Sequence, residues 1–243
     1  PKPMPYKGKK ITVVMPAYNA AKTLVRCYEA LPLEFIDEVI LVDDASQDET
    51  LEVAKSLPII VARHFVNKGY GGNQKTCYQL ARKRGADVIV MVHPDHQYDP
   101  KFIPEMIRLI VNAGHSAVFG SRMMIKKNAL LGGMPYWKYF FNIILTRIGN
   151  LFLGTNLTEF HSGFRAYARR VFDEIDVSRN SDDFVFDTQI IIQMISRGMS
   201  IKEIPITTRY FKEASQISLV PSIRYGLQMM YSFLLYKLRL KKF

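Results

Sequence analysis

Short β-branched runs alternate with amphipathic stretches through the first half of the chain. Residues 11–15 form one such run, stopped by Pro16, and residues 21–31 then repeat apolar positions at helical spacing. Residues 39–42, 59–62, 88–91 and 117–119 read as further strands, with helices predicted over 49–56, 73–84 and 101–111. Ser46 or Asp48 can cap the helix that starts at 49. Strands alternating with helices of this length predict a parallel sheet covered on both faces. Ligands of such sheets bind at the carboxyl ends of the strands. The polar residues collect there: Tyr18-Asn19, Asp43-Asp44, Asn67, residues 93–97 and Ser121-Arg122.

The second half is patterned differently. A helix is predicted over 135–153, apolar around most of its girth, with Lys138, Asn142, Thr146 and Asn150 recurring as one polar stripe. After Ser162-Gly-Phe-Arg165 come a short helix, a helix over 185–197 and a strand over 201–207. Residues 221–240 predict a last helix with Ile223, Leu227, Met230, Tyr231, Leu234, Leu235 and Leu238 on one face. Tyr225, Met229, Phe233 and Tyr236 broaden that face, and Lys237, Arg239, Lys241 and Lys242 make its end basic. Such a helix suits a membrane interface near anionic headgroups. It suits a second subunit, in a homo-oligomer, equally well.

Composition adds constraints. With 243 residues there is length for one large domain and a full core. The formal charge of +11 calls for an anionic partner: nucleic acid, an acidic membrane surface or a phosphorylated substrate. No nucleic-acid module or basic–aromatic platform is present, so nucleic acid is set aside. No apolar run reaches bilayer length, and the basic, proline-rich start lacks a signal core. The expectation is a soluble or peripheral protein. Cys27 and Cys77 fall within helical patterns and are expected as buried free thiols in a reducing compartment.

The densest chemistry lies in Met91-Val-His-Pro-Asp-His-Gln-Tyr-Asp-Pro100, where a buried strand ends. His93, Asp95 and Gln97 are spaced by two, which in an extended segment points them to one side. Such ligands can hold a divalent cation and leave positions for phosphate oxygens. The competing reading is a polar loop capping the helix near Pro100. Gly69-Tyr-Gly-Gly72 lacks a phosphate-loop signature and is read as tight packing beside a ligand. His64, His96 and His115 are read as surface or loop histidines. Asp43 is read as orienting the turn that presents Asp44, and Asp187 as a cap partner or a contact to Arg165.

Seven motifs in register carry a resemblance. They are Val14-Met-Pro-Ala-Tyr-Asn19, Leu41-Val-Asp-Asp-Ala-Ser46, Asn67-Lys-Gly-Tyr-Gly71-Gly72, residues 93–100, Gly120-Ser-Arg122, His161-Ser-Gly-Phe-Arg-Ala-Tyr167 and Glu203-Ile-Pro-Ile206. The chain resembles inverting family-2 glycosyltransferases of GT-A fold, and among them the dolichol- or polyprenyl-phosphate mannose and glucose synthases. The resemblance implies a catalytic domain over 11–216, preceded by a basic extension, 1–10, and followed by an amphipathic segment, 217–243. It implies a nucleotide-sugar donor of the GDP-mannose or UDP-glucose type, a polyprenyl monophosphate acceptor, and Mg2+ or Mn2+. It implies a cytoplasmic protein, peripheral on the inner face of a membrane.

Carried over by position, Pro16, Ala17, Tyr18, Val42, Asp44, His93 and Pro94 would surround the donor. Asp95, Gln97 and His93 would form the metal site. Arg122 and Arg209 would bind phosphates, with Lys138 at the start of the helix that meets the acceptor phosphate. Asn142 and Ser162 would complete the acceptor site. The sequence departs from the pattern at Ala20, where an acidic residue is usual, at His93, where aspartate is usual, and at Gln216, where a lysine is expected. A neutral imidazole at 93 shifts the metal preference towards Mn2+.

A lipid monophosphate, with a second pKa of about 6, is itself an anionic nucleophile and needs cations but no base. A sugar-hydroxyl acceptor would need a carboxylate base, for which Asp182 or Asp183 stand in the expected region. Both are read first as N-terminal capping of the following helix. A non-catalytic nucleotide-sugar-binding scaffold is the remaining alternative.

Overall fold

Side chains alternate along β1 (Ile11–Ala17): Val13 and Met15 enter one apolar cluster and Val14 the other. β2 (Glu38–Asp43) divides likewise, with Leu41 on one side and Ile40 and Val42 on the other. A sheet buried on both faces follows from that division. The computed structural model describes residues 6–209 and 219–239. Between β1 and β2 lies α1 (Ala21–Glu29), and α2 (Thr50–Ser56) leads to β3 (Ile60–Arg63). α3 (Gly69–Lys83), β4 (Val88–Met91), α4 (Ile103–Val111) and β5 (Ala117–Ser121) complete the first half. Then come α5 (Lys126–Leu131), α6 (Tyr136–Leu153), β6 (Arg165–Ala168), α7 (Arg169–Glu174), α8 (Phe186–Ser196), β7 (Ile201–Pro205) and α9 (Leu219–Lys237).

The strand order is β3-β2-β1-β4-β6-β5-β7. All neighbours run parallel except β6, which is antiparallel to both β4 and β5. The sheet is therefore mixed. The sequence pattern predicts no strand at β6, because Arg165-Ala-Tyr-Ala168 has no β-branched residue. Its pairing is decided by strands far away in sequence.

Pro16 does not stop β1. The Val14 carbonyl accepts from Val92 on the β4 side and the Ala17 carbonyl from Asp44 on the β2 side. Backbone groups alternate sides along a strand, so the nitrogen of Pro16 faces the β4 side, beyond the Val14 pairing that ends that ladder. No donor is missed there.

α9 packs onto the domain. Phe233 stacks on Phe152 of α6 and meets Phe160 edge-on, while Ser232 accepts from Gln189 of α8. Met229 and Phe233 are buried, whereas Ile223, Leu227, Tyr231, Leu234 and Leu238 remain exposed. The broad apolar girth read from the sequence is thus two faces, one internal. Cys27 and Cys77 are buried and free. Among the described residues no helix is long and apolar enough to cross a membrane.

Candidate active site

A cavity of about 1020 Å3 lies at the carboxyl ends of β1, β2 and β4. Pro16, Ala17, Tyr18 and Asn19 form one wall, with Tyr18 half exposed. Asp44 borders it, but its carboxylate is already engaged. Oδ1 meets His64 Nδ1 at 2.6 Å and accepts from the Lys68 N–H, and Oδ2 accepts from the Gly69 N–H. Asp44 therefore caps the entry to α3. His64, expected as a surface or loop histidine, stands in the loop after β3 but is buried, with Nε2 2.9 Å from Thr76 Oγ1.

Beyond β4 the chain does not stay extended. Pro94 and Asp95 form a turn, His96 adopts φ +55°, and Asp95 Oδ1 accepts the Gln97 N–H at 3.1 Å. The simple alternation expected for His93, Asp95 and Gln97 is lost, yet the turn returns all three to the cavity wall. Burial pushes the Asp95 carboxyl above its ordinary 3.8; His93 and nearby N–H groups pull the other way without prevailing. A carboxylate in that state gains from a divalent cation, and Gln97 and His93 stand beside it on the wall. Among the described residues no cluster of three His, Cys, Asp or Glu side chains could hold a metal. Diphosphate oxygens would have to complete its coordination.

Arg122, at the end of β5, is gripped by a residue that the sequence reading misses. Glu159 is fully buried; its carboxylate accepts the Arg122 backbone N–H at 2.7 Å and Nε at 2.8 Å, and also pairs with Nη2. Burial would raise the pKa of Glu159, but Arg122 overrides it and holds it low. Asn142 Nδ2 donates to the same carboxylate at 2.8 Å, and its Oδ1 accepts from the Thr146 hydroxyl, so the Asn142 amide is held on both sides. Asn150 binds the Leu157 backbone through both its groups. Most of the expected polar stripe on α6 thus holds the following loop. Of the four, Lys138 and Asn142 line the cavity, and Lys138 brings its charge there, over the Trp137 ring at 5.4 Å. Burial, and then Arg122, lower its pKa.

Past Lys138 the wall becomes apolar. Trp137, Phe141, Leu145 and Ile148 on α6 face Ile223, Gly226, Leu227 and Met230 on α9. His161 and Tyr225 close the floor, Nδ1 to Oη 2.8 Å, and burial depresses the His161 pKa to about 4. One cavity therefore runs from a carboxylate turn, past two cations, into a groove between two helices.

The sequence model of "Glycosyl transferase family 2" matches residues 12–176. The chain belongs to glycosyltransferase family 2. It is 33% identical over 201 residues to uncharacterized protein MJ1222 of Methanocaldococcus jannaschii, covering 83% of this chain and 82% of that one. It is 29% identical over 219 residues to the UDP-N-acetylglucosamine–dolichyl-phosphate N-acetylglucosaminyltransferase of Methanococcus voltae, covering 83% and 86%. Its resemblance to the polyprenyl-phosphate branch is borne out by that relative. Glucosyl-3-phosphoglycerate synthase from Mycobacterium tuberculosis, in complex with Mn2+, UDP-glucose and phosphoglyceric acid, matches with TM-score 0.71 at 18% identity, over 95% of this chain and 80% of that one. The shared fold is GT-A.

Several residues of this family-2 glycosyltransferase stand elsewhere than the motifs imply. The Val42 side chain lies in the core, and its carbonyl accepts from Asn73. Ser162 is buried, with Oγ accepting from Phe164 N–H, away from the cavity. The Arg209 backbone N–H donates to the Gln97 carbonyl, and the residue lines a separate pocket of about 260 Å3 with His96 and Asp99. Gln216 lies outside the described residues. The glycines at the start of α3 pack against chain: Gly71 and Gly72 donate to the Asp182 carbonyl, and a Cβ on Gly71 would stand 2.5 Å from the Ser181 carbonyl.

Neither Asp182 nor Asp183 caps α8 through its side chain. Asp182 pairs with Lys75 at 2.7 Å; Asp183 accepts from Gln228 and lies 3.4 Å from Arg224, both on α9. Asp187, weighed between two roles, contacts buried Arg165 at 3.6 Å and accepts from the Tyr70 hydroxyl at 2.7 Å. Tyr70, inside the glycine cluster, carried no signal beyond its aromatic ring.

Proposed function

We propose that this glycosyltransferase moves a hexose from a nucleotide-diphospho-sugar, of the GDP-mannose or UDP-glucose type, to a polyprenyl monophosphate. The carrying observation is the continuity of the cavity: carboxylate turn, then Arg122 and Lys138, then an apolar groove. The named relative from Methanococcus voltae supports a lipid-phosphate acceptor.

On this reading the nucleoside lies against Pro16, Ala17 and Tyr18. Asp95, Gln97 and His93 would hold Mg2+ or Mn2+ with the diphosphate, and the ion would stabilise negative charge on the leaving group. Arg122 is held by Glu159, so its guanidinium is oriented before a phosphate arrives. Lys138 sits in the field of Arg122, so an anion arriving between them relieves their repulsion as it is bound. The acceptor phosphate attacks the anomeric carbon from the face opposite the leaving diphosphate, which inverts the configuration. No general base is required. The GT-A domain of residues 11–216 supplies the donor end and the segment after it supplies one wall of the acceptor groove.

A second reading rests on Asp183, which borders the cavity whereas Asp182 does not. With a hydroxyl acceptor Asp183 would be the base. Assaying a panel of nucleotide-sugars with polyprenyl phosphate and Mn2+ or Mg2+ tests both. Lys138→Ala is expected to lower transfer about tenfold or more while donor binding persists, and Asp183→Asn to have little effect. A dead Asp183→Asn beside a normal Lys138→Ala establishes the hydroxyl acceptor instead. Absence of transfer from every donor leaves a binding scaffold.

A further inference from the structure

The Tyr70 hydroxyl lies 2.7 Å from Asp187 Oδ2 and 3.2 Å from His93 Nε2. Asp187 stands beside buried Arg165, whose guanidinium also donates to the Asp187, Ser162 and Phe160 carbonyls. An ionised carboxylate only accepts, so the single phenolic proton goes to Asp187. The phenolic oxygen is left as an acceptor, and His93 Nε2 must donate to it. This hydrogen-bond order leaves Nδ1 as the nitrogen with the lone pair.

Packing determines where Nδ1 points. A Cβ on Gly163 would stand 2.6 Å from His93 Nε2 and 2.8 Å from Cδ2, so that edge of the ring is closed. The Tyr70 ring stacks on the imidazole, centroids 5.4 Å apart and planes 16° apart. In a five-membered ring the vertex opposite the Nε2–Cδ2 edge is Nδ1, and His93 forms part of the cavity wall.

We propose that Asp187 and Tyr70 are positioning residues that hold His93 in its Nε2–H form and present Nδ1, beside Asp95, as a nitrogen ligand for a divalent cation bound with the donor diphosphate. The inference rests on the nucleotide-sugar reading above. A carboxylate behind a ligating histidine fixes its orientation and raises its donor strength. Here a phenol relays that effect. A nitrogen ligand in this position ranks Mn2+ above Mg2+, which takes oxygen ligands and keeps its waters.

Two measurements test this, and neither reads sugar transfer. The first is Mn2+ binding in the presence of UDP or GDP, followed by electron paramagnetic resonance of the free ion. Tyr70→Phe is expected to weaken Mn2+ by about tenfold to a hundredfold with an unchanged circular dichroism spectrum. His93→Ala should weaken it at least as much, and His93→Asp should move the preference towards Mg2+. Wild-type Mn2+ affinity in Tyr70→Phe overturns the relay, and in His93→Ala it overturns the ligand. The second measurement uses the unmutated protein, in case Tyr70→Phe does not fold. Nitrogen-15 spectra of labelled histidine should show a protonated Nε2 and an unprotonated Nδ1 on His93, and the reverse tautomer overturns the proposal. Metal-independent transfer by the wild-type protein would remove this inference and leave the glycosyltransferase reading standing.

Discussion

Asp95 shows how one side chain can be costly to the fold and still suit the site. Burial holds its folded pKa above the ordinary 3.8. Between 3.8 and that raised value the folded state binds more protons than the unfolded one, so stability falls as pH rises through the window. Above that raised value the cost is fully present. Asp95→Asn keeps an oxygen that can accept the Gln97 N–H and removes the charge. Without ligand, this variant should melt higher than the wild type at pH 7, with the gain shrinking as pH falls towards 3.8. Its transfer rate should drop by roughly a hundredfold or more, because the charge that would hold the cation is gone. A variant that is no more stable, or still active, refutes the assignment. Glu159 is the contrasting case: it is more deeply buried but compensated by Arg122, so its charge serves position and not ligand binding.

At the scale of elements, α6 and α9 form the groove proposed to take the acceptor, and Gly226 is its most telling residue. Glycine inside a helix costs about 1 kcal/mol relative to alanine. Nothing at Gly226 requires it: an added Cβ would meet only Leu145 methyl groups, at 3.8 and 3.9 Å. What glycine leaves there is volume, on the cavity wall, opposite Leu145. Gly226→Leu should fill the groove, lowering transfer to long polyprenyl phosphates about tenfold or more while sparing short prenyl phosphates and donor binding. Equal loss for all chain lengths would place the lipid chain elsewhere. Asp183 fastens α9 to the segment before α8 through Arg224 and Gln228, and that same segment receives the glycines of α3. The start of α3 and the start of α9 therefore share one joint.

The whole molecule presents exposed apolar stripes next to its reactive cavity. Tyr136, Phe140 and Phe141 on α6, and Ile223, Leu227, Tyr231 and Leu234 on α9, are open to solvent, in a chain of net charge +11. Apolar side chains at a basic surface suit shallow insertion among anionic headgroups, where a lipid phosphate is found. The protein should co-sediment with vesicles containing anionic lipid, with binding that weakens as salt rises. Leu227→Glu and Tyr231→Glu should each reduce that binding several-fold without altering nucleotide affinity. If both variants bind vesicles like the wild type, those stripes cover a second subunit or nothing at all.

The sequence by itself determined the layering and the reaction class. Strand–helix alternation is a local periodicity, and it carries through to β1–β5, α3 and α6 within a few residues. The gathering of Asp44, Asp95 and Arg122 at the strand ends follows from that alternation and needs no knowledge of packing. Only the tertiary structure decided what each polar group faces. β6 became a strand because β4 and β5 left it two partners. Glu159 found Arg122 across 37 residues and Tyr70 found Asp187 across 117. The polar stripe on α6 turned towards the loop after it, with Asn142 and Asn150 bound there and Lys138 bringing the one charge to the cavity. Arg209 went to a separate pocket because Thr208 beside it bridges to Tyr98, beyond the end of β7. Spacing along a chain fixes the face on which a side chain projects, but its partner comes from another element, and that pairing is not written in any local pattern.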